Sequence, residues 1–125
     1  VRGDRATAVV AVIVPLSTSD GTRERLNARA REVGLREVEA VAVRLNRVAI
    51  EILLREQLTT TTARESVIPR LLARRVLLVW LRPTAGADHQ RAWEVLAAEP
   101  GAVAAALVPD EVRTWVTRAL EGGGT

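Results

Sequence analysis

The segment Thr7-Ala-Val-Val-Ala-Val-Ile-Val-Pro15 is β-branched and apolar on both of the faces that a strand would present. Successive side chains of a strand point to opposite sides of the sheet, so a strand without a polar face belongs inside a sheet rather than at its rim. This run therefore predicts a central strand. Ser17-Thr-Ser-Asp-Gly-Thr22 follows it, a cluster of N-cap residues that ends the strand and opens a helix. Within 23–33 the apolar residues Leu26, Ala30 and Val33 recur at i, i+4, i+7, which predicts a helix with one narrow buried face. Gly34 then fits the glycine that closes a helix, with Leu35 supplying the accompanying apolar contact.

The stretch 37–54 has two readings. Val41, Val43 and Leu45 alternate with Ala40, Ala42 and Arg44, and Val48, Ile50, Ile52 and Leu54 alternate with Ala49, Glu51, Leu53 and Arg55. Period-two alternation in both halves predicts a hairpin turning at Asn46-Arg47. The rival reading makes 47–58 a helix, because Ala, Leu, Glu and Arg are good helix formers. Downstream, Thr59–Thr62 reads as a loop, and Thr62-Ala-Arg-Glu65 has capping-box spacing for a helix to about Arg74. Pro69 lies within that helix, where a kink or a later start is expected. Arg75–Arg82 reads as a strand, with Val76–Leu81 apolar throughout. Two helices follow, 88–98 with His89, Trp93 and Leu96 on one face, and 110–120 with Val112, Trp115, Val116, Ala119 and Leu120.

The resulting expectation is an α+β ferredoxin-like β-α-β-β-α-β sandwich with two additional C-terminal helices. That pair would cover the second sheet face or pack against a second subunit. A helical 47–58 would instead give a three-stranded α/β layer fold. Residues 1–120 read as a single domain and 121–125 as a flexible Gly-rich tail. The length of 125 residues suits one domain that can bury a core of its own.

Composition bounds the chemistry. All 18 basic residues are arginine, and Lys, Cys, Met, Tyr and Phe are absent, a bias expected of a high-GC bacterial genome. Without lysine there is no Schiff base and no P-loop lysine; with one histidine and no cysteine, a standard zinc site has no ligand set. No cofactor is expected, and no catalytic residue stands out. The net charge of +3 gives little support for nucleic acid. No apolar run reaches the roughly 18–20 residues of a membrane span, so a cytoplasmic protein without membrane contact is expected. Arg2-Gly3-Asp4 spells an adhesion tripeptide, which chance accounts for at this length.

Candidate sites follow from what remains. Ser19, Asp20, Gly21 and Thr22 lie in a turn whose backbone N–H groups face an anion if they are not simply capping the helix. Arg70, Arg74 and Arg75 bracket the last strand densely enough to hold a phosphate or carboxylate. His89 is the one side chain that ordinarily titrates near neutrality, but no nucleophile is placed beside it. Trp93, Trp115 and Val116 mark the C-terminal helices as a candidate interface.

The order of strand, turn at Gly21, helix closed by Gly34, hairpin, helix and strand over 7–82 resembles small-molecule regulatory domains of the ACT type. That resemblance implies an effector site lined by the turn and first helix at a subunit interface. Val1-Arg-Gly-Asp-Arg5 with Ile68-Pro-Arg70 and Val76–Trp80 is similar to segments of the trimeric bacillus-type chorismate mutases. The catalytic motifs of that family are not recognisable between them and the chain has no tyrosine, so its activity is not carried over.

The leading expectation is a non-catalytic binding, regulatory or assembly module that self-associates, with a homo-oligomer or another protein as partner and a small anionic ligand possible. The alternatives are a small enzyme with an Arg and carboxylate site at a subunit interface acting on an anionic metabolite, and a nucleic-acid-binding domain.

Overall fold

In a computed structural model, the described residues are 8–16, 20–55, 60–84, 86–99 and 101–123. They form β1 (Ala8–Pro15), α1 (Asp20–Glu32), β2 (Leu35–Arg44), α2 (Arg47–Leu53), α3 (Thr61–Leu71), β3 (Arg75–Pro83), α4 (His89–Ala97), β4 (Ala104–Pro109) and α5 (Glu111–Gly123). The class is α+β: a four-stranded antiparallel sheet ordered β2-β3-β1-β4, with five helices. Arg2–Asp4, Ser17–Ser19, Thr59 and the terminal Gly124-Thr125 lie outside the described residues. No helix among those described is long and apolar enough to cross a membrane.

β1 lies inside the sheet, as its two apolar faces require, paired with β3 on one side and β4 on the other. Val9 through Val14 are all buried. Alternate residues serve two separate cores. Val10, Val12 and Val14 pack with Leu26, Ala30, Leu35, Val79, Leu81, Ala92 and Leu96, under α1 and α4. Val9, Ala11 and Ile13 pack with Ala49, Ile50, Leu53, Ile68, Leu71, Leu78, Trp80, Val112 and Val116, under α2, α3 and α5. The sheet is thus covered on both sides. The helix over 23–33 forms as its periodicity requires, and Gly34 closes it at φ +83° with Leu35 buried behind.

Three expectations are corrected. The segment 48–54 is not the second strand of a hairpin; 47–53 is helix α2. Its alternation coincides with a helical stripe, since Ala49, Ile50 and Leu53 are buried at i, i+1, i+4 while Val48 is exposed. Asn46 is the N-cap: its side-chain oxygen accepts from Ala49 N at 2.9 Å, and its Nδ2 donates to Ala119 O at 2.9 Å. One residue therefore starts α2 and ties it to α5. Asn46→Ala should lower the unfolding free energy in urea titrations by about 1–2 kcal/mol. Asn46→Asp, which keeps the cap acceptor and loses the donor, should cost less.

Second, the C-terminal helices are not a pair on one face. They are separated by β4, and α4 packs on the α1 side while α5 packs on the other. Ala104-Ala-Ala-Leu-Val-Pro109 carries a weak strand signal because alanine is a poor strand former. Its register against β1, from Ala8↔Pro109 to Ile13↔Ala104, makes it one anyway. Third, α5 continues through Gly123, so the first residues assigned to a flexible tail are helical. Pro69 does not delay the start of α3, which begins at Thr61; it sits exposed in the last turn, and the helix ends at Leu71 rather than near Arg74.

Candidate functional site

β2 is an edge strand, and its side chains on the α5 side are incompletely covered. In register they stand beside β3, Val41 opposite Leu78 and Glu39 opposite Trp80. The strand carries a bulge between Glu37 and Glu39, which leaves Val38 exposed and interrupts the edge. α5 lies over the interior strands and does not reach across β2. Between them runs an open groove of about 790 Å³. Val41, Val43, Leu78 and Trp80 form its floor, and Val116 and Leu120 of α5 its wall. Such a volume and apolar lining fall within the range of small-molecule sites.

The two ends of the groove differ. At the Glu39 and Trp80 end, charges neutralise one another in a chain. Arg113 Nη2 donates to Glu39 Oε1 at 2.9 Å, its Nη1 lies 3.5 Å from Asp110 Oδ1, and Arg82 Nη2 lies 2.9 Å from the same oxygen. The Arg113 guanidinium also stands 6.0 Å from the centre of the Trp80 ring, a cation–π distance. At the other end the mouth is lined by Arg44, Asn46, Leu72, Ala73 and Glu121. Ala73 adopts φ +63°, a left-handed conformation costly for a residue with a Cβ. It is held there by backbone bonds to the end of β2: Ala73 N donates to Leu45 O at 2.8 Å and Leu45 N to Arg74 O at 3.0 Å.

Those same bonds gather arginines. Arg44 is directly opposite Arg75 in the β2–β3 ladder, with Arg74 adjacent, and all three are exposed. None of the three has an ion-pair partner among the described residues. Like charges directly opposite in a ladder oppose pairing.

The other candidates fall elsewhere. Arg70 is on α3 beside a separate cavity of about 170 Å³ with Leu54, Val67 and Ala97, so it does not join Arg74 and Arg75. Ser19 lies outside the described residues, Asp20 and Gly21 open α1, and Thr22 is 95% enclosed, 5% exposed. Thr22 Oγ1 accepts from Arg25 Nη2 at 3.1 Å and its methyl group packs against Gly101, so this hydroxyl is turned into the protein. His89 is half-buried at the first position of α4, after the N-cap Asp88. No group of His, Asp and Glu that could hold a metal occurs among the described residues.

The three interface candidates separate too. Val116 is in the core at 1% exposure. Trp93 is half-buried and its Nε1 donates to Ala105 O at 2.8 Å, giving a carbonyl of edge strand β4 an internal partner. Trp115 is exposed, and with exposed Val48 it borders a second cleft floored by Ile52, Leu107, Val108 and Val112.

Sequence reasoning did not single out Arg44 or the groove. The signal present was the alternation of Val41 and Val43 with two alanines on a strand that also carries Arg36, Glu37, Glu39 and Arg44. That is the pattern of an edge with one apolar face. Compared with protein-family models, curated proteins and solved structures, the chain matches none significantly.

Proposed function

We propose that this domain is a non-catalytic binding module whose ligand site is the groove between β2 and α5, and that it acts as a self-associating unit. The observation that carries the reading is the groove itself, an apolar trough of ligand size beside an edge strand. The fold is read as a ferredoxin-like sandwich elaborated on its second face. What supports that plan is the antiparallel order β2-β3-β1-β4, with α1 leading from β1 to β2 and α4 from β3 to β4, both on one side. In this plan α2, α3 and α5 are additions, and the groove exists because they stop short of β2. Self-association is supported by Trp115 and Val48, apolar side chains left in solvent beside charged Glu51, Arg55 and Arg64.

Native mass spectrometry of freshly purified protein tests both parts. The expected result is a defined oligomer retaining a small-molecule adduct. Val41→Trp, which fills the groove floor from a half-buried position, should abolish the adduct without loss of folding. Trp115→Ser should dissociate the oligomer. A bare monomer, with no compound raising the melting temperature in a metabolite screen, would overturn the reading.

A further inference from the structure

We infer that two copies of this chain pair through α5, the helices packed antiparallel about a two-fold axis at Trp115, with Glu111 of each copy bonded to Arg118 of the other. This rests on the reading of the domain as self-associating and names the surface and the partner. Helical spacing puts Glu111, Trp115 and Arg118 on one side of α5, at i, i+4 and i+7, away from the buried Val112 and Val116. Glu111, Thr114, Trp115 and Arg118 are all exposed. Exposed Val48 of α2 and the cleft floored by Ile52, Leu107, Val108 and Val112 extend the apolar surface beside Trp115. A half-exposed tryptophan over an open apolar cleft is the kind of anchor on which association rests.

Charge selects the partner. Glu111 and Arg118 enter no ion pair among the described residues. They are two turns apart, roughly 10 Å along the axis, too far to neutralise each other within one helix. The stripe reads acid, aromatic, base, and its complement is the same stripe reversed. A two-fold axis midway between Thr114 and Trp115 sets Glu111 opposite the partner's Arg118, and Arg118 opposite the partner's Glu111. The same axis sets Trp115 against the partner's Thr114, a side chain small enough to admit the ring. Such an isologous contact closes at two copies.

The test uses charge reversal in the full chain, read by sedimentation and native mass spectrometry. Glu111→Arg alone and Arg118→Glu alone should each weaken the homodimer about ten-fold, because symmetry turns two attractive contacts into two repulsive ones. Mixing the two variants should restore a dimer near wild-type strength, and only as the heterodimer, in which every contact again joins Arg to Glu. That recovery cannot come from a folding defect, since each variant still carries its substitution. Added salt should weaken the wild-type dimer and strengthen both reversed homodimers. Trp115→Ser should weaken the wild-type dimer at least about thirty-fold. A wild-type monomer would overturn the self-association reading and this inference with it. A dimer that Trp115→Ser dissociates but charge reversal leaves unchanged would keep self-association and overturn the antiparallel α5 pairing. A trimer or larger assembly would overturn the closed two-fold contact.

Discussion

Ile13→Ala and Leu26→Ala should each lower the unfolding free energy by about 3 kcal/mol, and the double variant should lose close to the sum. Ile13 is 1% exposed on the face of β1 that packs under α2, α3 and α5. Leu26 is fully buried in α1 against the other face. Each truncation removes buried methyl groups and leaves a cavity that close-packed neighbours only partly fill. The two cavities open on opposite sides of a sheet and share no side-chain partners, so the losses should add to within about 0.5 kcal/mol. With a total stability of roughly 5–15 kcal/mol for a domain of this kind, the double variant approaches the limit of folding. Guanidinium unfolding of the four proteins in the cycle checks this. A loss below about 1 kcal/mol for Leu26→Ala would mean that α1 is not seated on the sheet, and strong coupling would mean that the two cores are one.

The second large effect is expected at the turn after α1. Gly34→Ala should cost about 2–3 kcal/mol from two separable sources. The residue sits at φ +83°, where a Cβ raises the energy by about 1–2 kcal/mol. That Cβ would also stand 2.9 Å from Ala87 Cβ and 3.4 Å from Thr84 Oγ1. The neighbours have little freedom to move away, because Gly34 O accepts from Thr84 N at 2.7 Å and from Thr84 Oγ1 at 2.9 Å. Ala87→Gly in the same chain removes the collision and leaves the backbone cost. The Gly34→Ala penalty should therefore fall to about 1–2 kcal/mol in that background. An unchanged penalty would show that sterics against Ala87 play no part.

Gly34 also marks how far the sequence could be read. Gly34 was legible as a helix-closing glycine because that role needs only local geometry. Its second duty, admitting the loop at Ala87, joins residues far apart in the chain and leaves no local trace. The same division runs through the candidate site. Arg74 and Arg75 were visible as a dense basic pair, but Arg44 became their neighbour only when β2 paired with β3. Arg70, close to them in sequence, was carried to another cavity by α3. Trp93, Trp115 and Val116 looked alike as apolar residues on amphipathic helices, yet packing gave one to a β4 carbonyl, one to solvent and one to the core.

What the sequence by itself determined was the interior strand β1, the strand β3, and the helices α1, α4 and α5. The helices show an apolar stripe at helical spacing, the two strands are short β-branched or apolar runs bounded by turn residues, and the doubly apolar β1 demands cover on both sides. Tertiary structure decided three things. It made 47–53 a helix, because Asn46 caps it and bonds to α5, where alternation had pointed to a strand. It made the alanine-rich 104–109 a strand, because β1 had an unpaired edge whose backbone groups needed partners. It also opened the groove beside β2, since only the packed positions of three helices leave part of a sheet face uncovered.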